Sequence, residues 1–294
     1  MRPLIYKRNN MEKKSVLGID MGGTNIRAGL VNENILSNII SKKINAHASA
    51  EEVRDELFSF TDNLINDSIT AIGIGVPGLM DEETEMVFDV MNIPSWKKVP
   101  LKKWMEERYK IPVVINNDAN CFALGEFYFG KGKGCSSMIG LTIGTGLGSG
   151  IIINKKLYPG KNGGAGEFGM IKYLDYYYEY YASGQFFKNV YDIDGEDVFK
   201  NAKEGNVDAI KMYGEMGTHL GNAILMILFA LDIEMIILGG SVRHAFPFFK
   251  KAMWDQIHTF PFTRALEHLK IEISELENAG ILGAAALYYD FTHS

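Results

Sequence analysis

Six tyrosines fall in nine positions between Tyr173 and Tyr181, and two glutamates, Glu167 and Glu179, stand before and within that run, in "GEFGMIKYLDYYYEYYASG" (166–184). Ionised carboxylates accept paired hydrogen bonds, which suits them to gripping the hydroxyls of a polyhydroxylated molecule. An exposed surface charge is the plain alternative for each. Glu167, set among Gly163, Gly164, Gly166 and Gly169 with nothing local to pair it, fits that alternative poorly. Glu179 fits it well. A third carboxylate, Asp118 in "NNDAN", follows an apolar strand and opens an apolar helix. It suits a helix N-cap, and equally a general base facing a cleft. Asp20 ends the first strand just before "GG". It could bond turn amides, or join a Mg²⁺ shell through water.

Glycine turns accompany these acids. "DMGGTN" (20–25) and "GTGLGSG" (144–150) lack the Cβ atoms that would keep backbone N–H groups from surrounding phosphate oxygens. One such turn is weak evidence, since tight hairpins need glycine in any case. Two facing turns could clamp a triphosphate. An apolar strand rather than a helix follows each, so neither is a dinucleotide fingerprint, and the Walker pattern is missing.

The elements that must position these groups repeat. "VLGIDMGGTNIRAGLVN" (16–32) lies over "MIGLTIGTGLGSGIIIN" (138–154) without a gap, each a strand, glycine turn and strand. The constant offset predicts a duplicated domain. A third strand is expected over 35–44, and a helix whose Val53, Leu57, Phe60 and Leu64 share a face. A buried strand at 71–76 ends at Pro77-Gly78. A helix at 100–109, a strand at 112–116, a long helix near 207–231, a strand "EMIILGG" and a C-terminal helix complete the chain. The mixture predicts an α/β architecture of two related lobes with the site in the cleft between them.

Composition excludes several classes. The 294 residues are 47% hydrophobic and 22% charged, with a formal charge of −6. No broad basic footprint for nucleic acid or membrane results. Cys121 and Cys135 supply neither a disulfide framework nor a four-thiolate metal site, which fits a reducing cytoplasm. The N-terminus lacks the apolar core of a signal peptide, and residues 1–10 read as a leader or misassigned start. The longest apolar run, Ala223 to Leu231, is too short to span a bilayer.

Five motifs in order, "GIDMGGTNIRAG", "NNDANCFALGE", "IGTGLGSGII", "GGAGEFG" and "IILGGSV", resemble the ROK family (repressor, open reading frame, kinase) from about residue 15 onward. The resemblance implies a duplicated two-lobed actin-like ATPase (ribonuclease H-like) fold. One lobe is expected to comprise 11–115 and 280–294, the other 116–279. It implies Asp118 as catalytic base, with Gly78, Asn92, Asn117, Glu167 and Glu179 on the sugar. Asp20, Gly22, Gly23, Thr24 and Asn25 would face ATP from the first turn, with Asp20 reaching Mg²⁺ through water. Thr145, Gly146 and Gly148 would do so from the second, and Gly239 and Gly240 beside the adenosine. A homodimer binding a sugar and ATP, without nucleic acid or membrane, is the family expectation. Relatives place a histidine where this chain has Met170, and bind zinc through it and three cysteines absent here. No zinc is therefore expected, and tyrosine packing is expected to hold the glutamates instead. The leading expectation is phosphorylation of a hexose or N-acetylhexosamine at C6, glucose first and N-acetylmannosamine second. A sugar-responsive transcription regulator is the rival, disfavoured because about fourteen residues precede the first strand. A sugar sensor without catalysis is disfavoured by the intact Asp118 and phosphate turns.

Overall fold

The computed structural model describes residues 15–22, 25–81, 84–91 and 93–292. Gly23, Thr24 and Asn92 of the expected site lie outside them. Two mixed five-stranded sheets form the frame. The first is built from β1 (Ser15–Met21), β2 (Asn25–Asn32), β3 (Ile35–Lys43), β4 (Ile69–Val76) and, after a small sheet of β5 (Leu79–Asp81), β6 (Met86–Phe88) and β7 (Lys98–Val99), β8 (Val113–Asn117). Its order is β3-β2-β1-β4-β8, with β1, β4 and β8 parallel. The second comprises β9 (Met138–Ile143), β10 (Leu147–Ile153), β11 (Lys156–Leu157), β14 (Met235–Gly239) and β15 (Lys270–Ile273), ordered β11-β10-β9-β14-β15 with β9, β14 and β15 parallel. The two hairpins therefore occupy the same place in their sheets, as the repeated sequence predicts. Their registers nevertheless differ by one residue. Met21 pairs with Ile26 at the first turn, whereas Ile143 pairs with Leu147 at the second.

Central strands such as β4 are buried almost throughout because both sheet faces are covered, while edge strand β3 is mostly exposed and ends in Lys42-Lys43. On the outer face of the first sheet, α1 (Ala50–Thr61) and α2 (Leu101–Tyr109) bury Val53, Leu57, Phe60, Leu101 and Met105 against Leu17, Ile19 and Ile72. A Ser49–Glu52 capping box starts α1. On the second sheet's outer face lie α4 (Tyr178–Ala182), α5 (Phe186–Tyr191), α6 (Gly195–Lys203), α7 (Val207–Leu231), α8 (Phe246–Ile257) and α9 (Thr263–His268). Helix α7 spans the length that the sequence predicts. By length and composition this 25-residue helix could cross a membrane, yet 44% of its apolar window is buried, and Tyr213, Met216, Leu220 and Ile224 belong to the core.

Between the sheets lies a pair of helices, α3 (Asp118–Phe129) and α10 (Ala279–Thr292). Helix α10 covers β1 and β4, α3 covers β9 and β10, and the two pack on each other. Glycines set this layer's thickness. Gly18 and Gly73 are register partners on β1 and β4, and a Cβ on either would overlap the α10 carbonyls of Ile281 and Ala284. A Cβ on Gly283 would overlap Cys121 O of α3, and one on Gly125 would stand 2.7 Å from Ala279 O. Backbone contacts backbone at each place. Gly73→Ala is expected to destabilise the fold by about 1–3 kcal/mol, the cost of overpacking a close contact. A urea denaturation midpoint equal to the parent's would contradict this packing.

Candidate active site

The acids and turns named above gather where parallel strands end, the usual place for ligands in open α/β sheets. Strand β8 runs directly into α3, which puts Asp118 at the first helical position. The cap is Asn117, not Asp118: Asn117 Oδ1 accepts from Ala119 N at 2.8 Å. Asn117 Nδ2 donates to Gly78 O at 3.3 Å, tying the end of β8 to the loop after β4. Gly78 itself is buried, and a Cβ there would stand 2.8 Å from Phe88 O. Asp118 also accepts from Ala119 N, at 2.9 Å. Asp118 is exposed to solvent, but in dense protein surroundings that still disfavour its charge. That desolvation, then the negative charges of Asp20 and Glu167, push it up to about 6 against the hydrogen bonds to its oxygens.

Asp20 is half-buried, and its carboxylate lies against the first turn of α10, where a Cβ on Gly280 would be 2.5 Å from Oδ2. Burial raises its pKa; Arg27, its cross-strand partner, partly offsets this. Arg27 in turn donates to Asn278 Oδ1, just before α10. The N-terminal turns of both central helices thus adjoin an acid, an arrangement the helix dipole favours.

Of the first glycine turn, Gly22 N donates to Asn25 O at 2.9 Å, and Asn25 begins β2. The second turn is described whole. Gly144 N donates to Gly146 O at 3.0 Å, Ser183 Oγ donates to Thr145 O at 2.9 Å, and Gly184 N donates to Gly144 O at 2.8 Å. Gly148 lies beyond the turn, in β10, where a Cβ would be 3.1 Å from Ala119 Cβ; it lets the strand approach α3. Gly239 ends β14 against the Phe122 ring, and Gly240, at φ 77°, lies against Ile143, just before that second turn.

The two glutamates exchange characters relative to expectation. Glu167 is exposed; Gly163, Gly166 and Gly169 around it serve backbone packing, as where Ser149 Oγ donates to Gly166 O at 2.6 Å. Partial desolvation, and then Glu179, raise its pKa. Glu179 is only half-exposed and accepts from Leu147 N at 2.8 Å, so it braces the second turn rather than standing free. A Cβ on Gly146 would overlap Glu179 Oε2, so glycine there serves this brace as well. Sequence reasoning missed Ser183, Gly184 and His219, which come from outside the recognised motifs. His219, on α7, meets the tyrosine cluster: its Nδ1 is 3.1 Å from Tyr173 Oη. Met170 is 60% exposed. Among the described residues, no three or more His, Cys, Asp or Glu side chains converge to hold a metal ion.

The two-lobed α/β architecture matches solved structures over nearly its whole length. The ROK glucokinase of Streptomyces griseus, solved with glucose and AMPPNP, is 28% identical with a TM-score of 0.78, covering 93% of this chain and 98% of that one. The ROK family model matches residues 16–290, and the chain belongs to this family. Glucokinase of Streptomyces coelicolor is 43% identical over 159 residues, about half of each chain (53% here, 49% there). The xylose repressor of Caldicellulosiruptor bescii is 30% identical over 97% of this chain and 80% of its own.

The raised Asp118 pKa has a stability consequence. Its folded value of about 6 exceeds the unfolded carboxyl's value of about 3.9, so the folded state holds the proton more tightly between them. Stability is therefore lost as pH rises through that window, and the loss is complete above it. Asp118→Asn is expected to melt at a higher temperature than the parent at neutral pH, with the gap closing toward about pH 4. A variant that melts below the parent at neutral pH would refute this environment.

Proposed function

We propose that this protein is an ATP-dependent sugar kinase that phosphorylates a hexose or N-acetylhexosamine at its C6 hydroxyl, glucose foremost. The observation that carries the reading is Asp118, an accessible carboxyl at the N-terminus of a central helix, poised near 6 between Asp20 and Glu167. A base titrating near the working pH suits proton abstraction from an alcohol. In this mechanism Asp118 accepts the C6 hydroxyl proton as that oxygen attacks the γ-phosphorus. Glu167, exposed beside it, accepts hydrogen bonds from other sugar hydroxyls. Asn117 orients α3 through its two hydrogen bonds and presents Asp118. Backbone amides of the 144–146 turn face the phosphates, and Glu179 and Ser183 keep that turn in shape. Gly23, Thr24 and Asn92 are assigned by family resemblance to the first turn and the sugar.

Asp20 is the residue that would hold Mg²⁺, through water. A half-buried carboxylate beside a second acid, with its own pKa raised, is an environment that a cation relieves. Mg²⁺, when bound with ATP, neutralises charge on the transferred phosphoryl group. Zinc has no part in the proposal, since Met170 and a tyrosine-rich segment stand where relatives carry the metal's ligands. The similarity to a xylose repressor favours one second reading, a regulator that binds sugar without turnover. The family resemblance further implies a homodimer.

ADP release over a panel of sugars decides between the two readings. Turnover of glucose or another hexose supports the kinase; sugar binding with no ADP release supports the regulator. For an active enzyme, Asp118→Asn should lower kcat by on the order of 10²–10⁴ while leaving sugar binding intact. In the parent, kcat/KM should fall as pH drops through about 6, because protonation removes the base. Parent-like turnover by the variant would remove Asp118 from the chemistry. Elemental analysis should find no stoichiometric zinc, and a zinc chelator with excess Mg²⁺ should leave the rate unchanged. Near one zinc per chain, with activity lost on its removal, would overturn the metal-free reading.

A further inference from the structure

The segment between Glu167 and Glu179 has little structure of its own. It holds a short 3₁₀ turn (Phe168–Met170) and a hairpin of β12 (Lys172–Tyr173) and β13 (Tyr176–Tyr177), two residues to a strand. An isolated hairpin of this size is marginal in water. Its tip residue Leu174 has φ 51°, and Met170, Ile171, Leu174 and Tyr176 are all exposed. Something else must hold the segment still if it is to present Glu167 to a ligand.

The anchor is Tyr173. Its ring stacks on Tyr178 at 4.3 Å between centroids and 14° between planes, and Tyr178 immediately precedes Glu179. Its hydroxyl meets His219 Nδ1 at 3.1 Å. Tyr181 packs on both rings, 5.8 Å from Tyr173 and 5.1 Å from His219, and Phe186 lies 5.8 Å from the imidazole. The His219 side chain is only 14% exposed, and Glu215, one helical turn earlier, lies 4.0 Å from Nε2. That set of partners assigns the proton to Nε2, toward the carboxylate, and leaves Nδ1 to accept from the tyrosine hydroxyl. Burial lowers the pKa of His219, which keeps the imidazole in this neutral, accepting form.

We propose that His219 is a positioning residue: through the Tyr173 hydroxyl it clamps the segment bearing Glu167 and Glu179 onto core helix α7. Its consequence for substrate rests on the sugar-kinase reading; the clamp itself does not. Helix α7 is rigidly packed, with its backbone close to α8 at Gly217 and Gly221, so the clamp ties a weak hairpin to one of the firmest elements of the lobe. The connection ends on the second turn, because Glu179 accepts from Leu147 N.

The test uses three substitutions in the full chain. Tyr173→Phe removes only the hydroxyl, His219→Phe keeps ring volume without the acceptor, and His219→Gln keeps an acceptor. Amide hydrogen exchange over 167–179 should rise roughly tenfold in the two Phe variants, the worth of one hydrogen bond, with the sheets unaffected. KM for the sugar should rise by a similar factor, with kcat at saturating sugar retained. The Tyr173 hydroxyl also bonds Asn222, so the double Phe variant should be no worse than Tyr173→Phe alone, and His219→Gln should recover part of the loss of His219→Phe. Unchanged exchange over 167–179 in Tyr173→Phe would overturn the clamp, as would losses that simply add in the double variant. If His219→Phe fails to fold, Tyr173→Phe decides alone. A parent that phosphorylates no sugar would remove the kinase reading, while the exchange data would still decide the clamp.

Discussion

The structure depends on how closely two helices approach without side chains between them. At Gly283 against Cys121, and at Gly125 against Ala279, α10 and α3 touch through backbone, and Gly18 and Gly73 seat α10 on the first sheet in the same manner. This close-packed layer joins the two sheets, and its N-terminal ends lie where the acids gather. Asp118 is the first residue of α3, and Asp20 rests against Gly280 in the first turn of α10. An added methyl anywhere along the layer would shift both carboxylates relative to each other. The positions of these two charges are thus set by packing some distance from the cleft, because interiors at crystal-like density transmit displacement.

Most of the frame was legible from periodicity. The gapless repeat of 16–32 in 138–154 corresponds to two hairpins at equivalent places in equally ordered sheets, and α1 buries the face that its spacing marked out. The register difference was not legible, because an alignment matches residues one by one and says nothing about how many of them the turn consumes. Asn117 as the cap was obscured by its neighbour: adjacent Asn and Asp are equally good caps, and only the geometry shows which one lies outside the helix. Glu167 read as enclosed because glycines surround it, but glycines bring backbones together and leave a side chain between them free to reach solvent. Helix α7 was legible at its full length, although Gly217, His219 and Asn222 interrupt its hydrophobicity without interrupting the helix.

The tyrosine cluster was visible as composition but not as mechanism. Its partner His219 lies 38 residues beyond the run in sequence, and nothing around it marks it except Glu215 at helical spacing. Once folded, Tyr173, Tyr178 and Tyr181 each do something different: Tyr173 hydrogen-bonds His219, Tyr178 is buried and stacks on Tyr173, and Tyr181 packs against both Tyr173 and His219. Tyrosine suits such work because its ring can be buried while its hydroxyl finds a partner. Ser183 and Gly184 then carry the same segment onto the 144–146 turn. A single stretch thereby serves both the acid that faces outward and the second glycine turn.

The charges in the cleft pull against one another. Burial first, then the charges of Asp20 and Glu167, raise Asp118 into the range of a useful base, and the negative charge gathered there would by itself repel a polyphosphate. Three features oppose that repulsion. Turn amides, on the proposed reading, would offer partial positive charge, the N-termini of α3 and α10 add their dipoles, and Arg27 stands across the strand pair from Asp20. On the proposed reading, a cation arriving with the nucleotide would supply the remainder and would also lower the Asp118 pKa, since a nearby positive charge favours the ionised form. On that reading a base titrating near 6 in the free protein would stay ionised to lower pH once the cation is bound. On the proposed reading, the acids that would repel a bare polyphosphate would admit one that arrives with its cation.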